Sequence, residues 1–373
     1  MKKSLIVFLT FVVLAGCVPQ NKTKRGLSPG QAQPGIKSEE VSPVPAEQKI
    51  TSQFYPMPPE QPRLQFLISF TEEELRKFEG GYKYFLQIKR TYDIGAVKGK
   101  IYISDRTYKK ITVIDLEKKE LSQIPGDYES AGIWVTDDDY KYVADFERRH
   151  IIVFDDRNNP TWIYHDSQFD KPVDVAVFEN RVYVVDINKH KVFILDKKRG
   201  HIVSSIGGIG KEEGKFYKPT HVIVDGEGNL YVNDFFNLRM QKFDREGNFL
   251  KKFGYPGDTL GAFARPKGLG LDKEGHLYVV DAAFENVQIF DDETTDLLLF
   301  FGGFGLDPGS MYLPNGIYID YHNVEYFKEY ADRNFNLKYL VYVGNTLGPI
   351  KLNVYGFGEW VGDPLPKREN SEE

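Results

Sequence analysis

Short apolar runs with alternating polar partners, separated by Gly, Asn and Asp, recur from Arg63 to Trp360. A side-chain period of two belongs to a half-buried strand, and the intervening residues are those that turns require. In "PTHVIVDGEGNLYVND" two such strands flank a turn, and "MQKFD" and "NFLKKFG" supply a third and a fourth. One tyrosine sets the register. Tyr102, Tyr142, Tyr183, Tyr231, Tyr278 and Tyr342 stand 40, 41, 48, 47 and 64 residues apart. Three residues after each comes Asp105, Asp145, Asp186, Asp234, Asp281 or Asn345; ten beyond that comes Asp115, Asp155, Asp196, Asp244, Asp291 or Tyr355. Four short strands per repeat predict a propeller blade, and a lone blade cannot cover both of its faces. The expected fold is all-β: a six-bladed β-propeller of four-stranded blades.

The last blade lacks a fourth strand of its own. After "NGIYID", "YLVYVGN" and "IKLNVYG" the chain runs into "FGEWVGDPLP" and a polar tail, residues 363–373. "LQFLISF", Leu64 to Phe70, has the pattern of "GNFLKKF" and is predicted to fill that place. The propeller would then span 63–362, with both chain ends in one blade and two sheet edges removed.

The later blades carry "IGGIGKEEGKFYKPTHVIVD", "FGYPGDTLGAFARPKGLGLD" and "FGGFGLDPGSMYLPNGIYID". With "LYVNDFFNLRMQKFD" these resemble the NHL repeat family, most clearly from Lys171 to Asp320, and the resemblance implies six blades. Over the first two blades the Phe-Gly punctuation is missing.

The N-terminal "MKKSLIVFLTFVVLAGC" opens with basic residues, continues with an apolar run from Leu5 to Leu14 and reaches small residues before Cys17. Such a run is too short to span a bilayer and has the plan of a secretory signal, residues 1–16. Leu14-Ala15-Gly16-Cys17 resembles the lipobox of bacterial lipoproteins. That implies lipidation of Cys17, anchoring to a membrane through acyl chains, and residence at the cell envelope. Val18, where an Asp would resemble an inner-membrane retention signal, favours the outer membrane in a cell with two. Residues 17–62 hold nine of the twenty prolines and no apolar periodicity, the composition of a flexible tether. A single cysteine excludes an internal disulfide. The formal net charge is −6 and no long basic run is present, so nucleic acid is not an expected partner.

Asp105, Asp145, Asp186, Asp234, Asp281 and Asn345 would each end a second strand. Near-identical copies are better explained by backbone hydrogen bonds in their own turns than by a ring of metal ligands. Symmetry breaks at the start of the first strand, the segment that lines the axial channel. Matching residues there are Asp93, Gly132, Asp174, His221, Gly268 and Gly316, preceded by Tyr92, Ala131, Val173, Thr220, Lys267 and Asn315. Two readings stand. Gly, Asp and His all tolerate an unusual backbone turn; alternatively Asp93, Asp174 and His221 converge at a channel mouth on a cation or a polar ligand.

Known catalytic patterns are missing. Amidating lyases of the resembled fold carry a zinc-ligating His after Pro at blade starts, where this chain has Thr220, Lys267 and Asn315. There is no Cys-x-x-Cys-His, so no haem of its own is expected, and no Gly-x-Ser-x-Gly elbow or phosphate loop. No catalytic or metal residue is assigned.

The 64-residue spacing into the last blade contains "YHNVEYFKEYADRNFNLKY", with Val324, Phe327, Tyr330 and Ala331 at helical spacing. A short amphipathic helix is expected. It either covers the propeller base or presents Tyr321, Tyr326, Tyr330 and Phe335 as an exposed aromatic patch for a partner.

The leading functional reading is an envelope-anchored lipoprotein that acts as a non-enzymatic protein-binding or scaffold propeller. Resembled lipoproteins with "VYGFGEW"-like endings are often encoded beside multihaem cytochromes, which implies a protein partner in their assembly or secretion. The alternative is a metal-assisted lactonase or lyase, or a small-molecule binder, at the mouth formed by Asp93, Asp174 and His221. Only that alternative needs a cofactor, a divalent metal.

Overall fold

A computed structural model describes residues 53–57 and 60–363. The predicted signal segment, Cys17, most of the tether and the tail beyond residue 363 lie outside the described residues. The strands of the described residues form six antiparallel sheets, five of four strands and one of five. The innermost strands are Thr91–Val97, Ser130–Val135, Pro172–Phe178, Pro219–Val224, Pro266–Leu271 and Pro314–Asp320, one per blade. In the last blade Leu64–Phe70 pairs with Leu352–Trp360, from Leu64 opposite Phe357 to Phe70 opposite Leu352. The expected closure is present and goes one strand further, since Phe54–Tyr55 adds outside it.

The recurrent tyrosine is at most 4% exposed in all copies, and that burial explains its recurrence. A phenol supplies a large apolar body for the blade interface, but its hydroxyl must then find a partner. Tyr102 donates to Asp139 of the next blade at 2.7 Å, Tyr342 donates to Asp320 at 2.8 Å, and Tyr278 shares a 2.7 Å bond with Tyr339. Phenylalanine would fill the same space and leave those carboxylates short of a donor.

Tyr339 continues the last of these contacts to Asp272 Oδ2 at 2.5 Å, and His276 Nδ1 meets the same oxygen at 2.7 Å. The hydrogen bond to Asp272 holds the His276 pKa above its ordinary value. Burial pushes Asp272 up, but hydrogen bonds from His276 and Tyr339 outweigh it and hold the carboxyl below its usual range. The raised histidine contributes stability fully below about pH 6.5, lost as pH rises through its folded value. The depressed aspartate contributes stability above about pH 4, lost as pH falls through its folded value. His276→Ala is therefore expected to lose most stability relative to the parent between about pH 4 and 6.5, and much less at pH 8. Urea melts of both proteins at several pH values check this.

The aspartates that end the second strands do more than close their own turns. Asp105 accepts from Thr107 N and Tyr108 N through Oδ1, and from Lys89 N and Arg90 N through Oδ2. Asp186 and Asp281 repeat this plan with Asp170 and Lys171, and with Ala264 and Arg265. Each thus ties the turn after the second strand to the segment that enters the first. Asp234 takes Tyr217 N at 2.7 Å and Asn345 takes Tyr312 N at 3.1 Å, while Asp145 holds Arg148. These side chains fix one face of the ring, the face crossed by the connections from an outermost to an innermost strand.

The last-blade insert forms one short helix, Val324–Phe327, followed by a 3-10 turn, Lys328–Tyr330. It packs into the gap between the last and first blades rather than over the base. Phe327 is buried there with Phe70, Leu75, Phe85, Leu340 and Tyr342. Asn323 locks the join, accepting from Gly99 N at 2.7 Å and donating to Val97 O at 3.0 Å. The short helices Glu72–Leu75 and Gly81–Phe85, which the strand pattern did not predict, fill the same gap. Among the described residues no helix is long and apolar enough to cross a membrane.

Candidate functional site

Asp93, Asp174 and His221 line one cavity of about 170 Å³ on the axis, with Ile133, Trp134, Leu269 and Ile317 among its walls. They are brought together, and the oxygens of the two carboxyl groups are largely occupied, whereas His221 Nε2 is buried without a hydrogen-bond partner. Asp93 accepts from Ile133 N of the next blade and from Ile94 N, both at 2.9 Å. Asp174 accepts from Val222 N of the next blade at 2.8 Å. Each carboxylate therefore stitches one blade to its neighbour. Burial pushes the Asp93 carboxyl up to about 7 against the pull of the Ile133 and Ile94 amides. For Asp174, burial and then the charge of Asp93 raise the pKa well above the carboxylate range.

His221 is 3% exposed, and its Nδ1 meets Thr220 Oγ1 at 3.1 Å. Burial, then the Lys267 charge, pushes its pKa down to about 3, so the ring is neutral. It stacks on Tyr92 across the axis, with centroids 5.5 Å apart and planes at 16°. One neutral imidazole beside two engaged carboxyl groups is a weak cation site. Among the described residues no group of three His, Cys, Asp or Glu side chains is placed to hold a metal ion.

The glycines at equivalent positions have a cause other than an unusual turn. Gly132, Gly268 and Gly316 all lie outside the left-handed region, as do Asp93, Asp174 and His221. What they share is a shift of strand register at the start of every innermost strand, where neighbouring blades come closest. A Cβ on Gly132 would lie 1.7 Å from Asp174 Oδ1, one on Gly268 2.5 Å from Asn315 O, and one on Gly316 2.8 Å from Asp93 Cα. Absence of a side chain, rather than freedom of φ, is what the ring requires there.

The Tyr92–His221 stack closes the channel on the side of the aspartate-fixed face. Above it opens a funnel of about 610 Å³, lined by Lys89, Arg90, Arg106, Arg265 and Lys267 together with Tyr92, Phe146 and Asn315. Arg106 lies over the rings of Tyr92 and Phe146 at 5.1 and 5.0 Å. Lys267 is half-buried over Phe235 at 4.6 Å. The sequence places Tyr92, Lys267 and Asn315 at matching positions of one ring, of which Lys267 and Asn315 stand where the amidating lyases carry a zinc-ligating His. The available signal was the residue after each second-strand carboxylate: Arg106, Phe146, Ile187, Phe235, Ala282 and Thr346 form a second ring above the first.

The four aromatic residues of the predicted partner patch do not form a shared exposed surface. Phe335 is 5% exposed and packs with Phe54 and Trp360. Tyr321 packs on Tyr339, with its hydroxyl accepting from Lys273 N at 2.9 Å. Tyr326 joins the gap between the last and first blades and donates to Glu117, which leaves Tyr330, at 40% exposure, alone. The apolar side chains of a docked segment turned inward, as they do when a core lies within reach.

Exposed apolar residues gather elsewhere. Ile209, Tyr255 and Phe304 stand on the connections between successive blades at 69%, 55% and 71% exposure, with Leu260 and Leu306 on the same connections. These are the Gly-punctuated segments of the later blades, on the funnel face.

The fold defines the class: this is a six-bladed β-propeller with four-stranded antiparallel blades. Residues 163–268 match the DUF5128 family, described as a 6-bladed beta-propeller. Over 72 residues, 18% of the chain, the sequence is 38% identical to a Caenorhabditis elegans protein named "Probable peptidyl-alpha-hydroxyglycine alpha-amidating lyase". The match spans only 21% of that relative's length. A Bacteroides thetaiotaomicron protein of unknown function is similar in structure, with a TM-score of 0.55, 17% identity, and coverage of 72% of this chain and 69% of that one. Streptogramin B lyase follows with a TM-score of 0.51, 13% identity, and coverage of 72% and 94%. At such identities the common property is the fold.

Proposed function

We propose that this chain is a non-enzymatic binding propeller, held at the cell envelope by lipid on Cys17 and recognising a protein partner through its funnel face. One observation carries the reading. Ile209, Tyr255, Phe304 and Leu306 are exposed together on the blade connections of one face, apart from the apolar residues exposed on outermost strands such as Trp162 and Leu298, whereas the channel carboxylates Asp93 and Asp174 serve inter-blade hydrogen bonds. Exposed aromatic and aliphatic anchors on a rigid frame suit protein docking, because little entropy is lost when they are covered. The lipobox resemblance supplies the anchor, and the resemblance to cytochrome-associated lipoproteins supplies the partner class, an assembly or secretion component of the envelope. The lyase names among similar proteins would need a metal or a base at the channel, and the engaged state of Asp93 and Asp174 speaks against that use.

The test is capture of partners from detergent-solubilised envelopes with the intact chain. One dominant protein is expected with the parent and at least about tenfold less with Ile209→Asp/Phe304→Asp, which places two charges in the proposed contact. Cys17→Ser is expected to move the protein from the membrane to the soluble fraction. Equal capture by parent and double variant would remove the docking face from the account.

A further inference from the structure

The funnel carries an inference separate from partner docking. The protein has a formal net charge of −6, yet five cationic side chains, Lys89, Arg90, Arg106, Arg265 and Lys267, converge on this one cavity. Among the described residues none of the five has a carboxylate within ion-pair distance. The single acidic residue of the wall, Glu129, is paired with Lys109. Like charges held together without counter-charges repel, and a fold retains such a set at a cost that an anion would offset.

Shape and the remaining polar atoms narrow the ligand. A volume of about 610 Å³ suits a small molecule rather than a chain segment. The floor is the flat Tyr92 ring, stacked on His221, so the cavity ends blindly. Beside it the buried Oδ1 of Asn315 has no hydrogen-bond partner, an acceptor waiting for a donor. Two of the cations are rigidly presented: Arg106 lies between Tyr92 and Phe146, and Lys267 stands over Phe235. Guanidinium groups bind carboxylate and phosphate oxygens in pairs, and a lysine adds a point charge.

We propose that the funnel binds a compact, multiply charged oxyanion, a small molecule bearing two or more carboxylate or phosphate groups and a hydroxyl that reaches Asn315. Arg106, Arg265 and Lys267 take the anionic groups, Lys89 and Arg90 draw the ligand in from the rim, and Tyr92 sets the depth. Lys267 also makes the site sensitive to pH. Burial first, then Arg265 and Arg106, pushes its pKa down to about 8, against the opposite pull of Asp281. Neutral His221 lies on its inner side and contributes no charge to repel an anion. A bound anion favours the ammonium, so affinity falls as pH rises through about 8.

Calorimetric titration of the full chain with citrate, and separately with inorganic pyrophosphate, tests the site. At least one is expected to bind, more weakly at pH 9 than at pH 7 and more weakly in high salt. Lys267→Gln/Arg106→Gln is expected to weaken binding about tenfold or more, and Lys267→Arg to retain most of it. Arg265→Gln, which removes a rim-exposed cation and no buried contact, gives the same direction of change if the paired variant folds poorly. Preference for citrate assigns carboxylate as the recognised group, and preference for pyrophosphate assigns phosphate. No binding of either at about 10 mM, or equal affinity in parent and Arg265→Gln, would overturn the proposal. Because partner capture is scored with Ile209 and Phe304 variants that leave the funnel intact, each idea can fail without the other.

Discussion

A chain that begins at Thr71 is expected to yield no soluble, folded propeller. Removing residues 53–70 strips the last blade of both N-terminal strands and leaves Leu352–Trp360 as an open edge beside the first blade. Leu64 and Phe70 are 0% and 3% exposed, and truncating side chains buried so fully costs about 2–5 kcal/mol each. Their joint loss, with seven residues of strand pairing, approaches the whole margin of about 5–15 kcal/mol that holds a domain folded. Exposed pairing edges also favour aggregation. A peptide covering 50–70, added during refolding, is expected to restore soluble material by supplying the missing strands in trans. Circular dichroism and size-exclusion yield, with and without the peptide, measure both outcomes.

Asp139→Ala should be among the most destabilising single substitutions. Asp139 accepts from Tyr102 Oη and Lys100 Nζ, each at 2.7 Å, across the join of the first two blades. Beside it Lys141, with a side chain 0% exposed, donates to the carbonyls of Asp139 and Asp155 at 2.7 and 2.5 Å. Burial pulls the Lys141 pKa down and Asp139 pulls it back. Alanine at 139 leaves a buried cation and a buried phenol without their carboxylate, at a cost of about 3–5 kcal/mol. The double variant Asp139→Ala/Lys141→Met is expected to recover much of that loss, because the uncompensated charge goes as well. Denaturant melts of the parent, both singles and the double separate lost charge pairing from lost packing.

The architecture was legible because its causes repeat. Every blade needs the buried Tyr and the Asp or Asn that holds the turn after its second strand, so the same physics writes the same residues several times over. Leu64–Phe70 could be assigned to the last blade because a strand pattern without neighbours had one vacant place to go. The candidate site was legible only as position. The sequence places Asp93, Asp174 and His221 at one level of the channel, but that each carboxylate meets the amide of the next blade rather than a ligand follows only from how the blades pack. For the same reason Gly132, Gly268 and Gly316 were read through their φ freedom, although the close approach of Asp174, Asn315 and Asp93 is what excludes a Cβ there.

The aromatic patch failed for a different reason. Tyr321, Tyr326, Tyr330 and Phe335 lie within one insert, and proximity in sequence suggested a shared surface. The insert instead folds into a gap that closure itself creates, between the last blade and the first, and three separate clusters take up its side chains. The funnel is not legible in the sequence because its cations come from the first and fifth blades and no run of basic residues announces them. Only the ring geometry superimposes Lys89, Arg106 and Lys267.

Hydrogen exchange of the intact chain, alone and with its captured partner, tests the binding account most directly. Slowed exchange should fall on the blade connections 208–218, 254–263 and 302–311, with the innermost strands unchanged. Protection confined to the channel residues around Asp93, Asp174 and His221, or to the 321–335 insert, would contradict it.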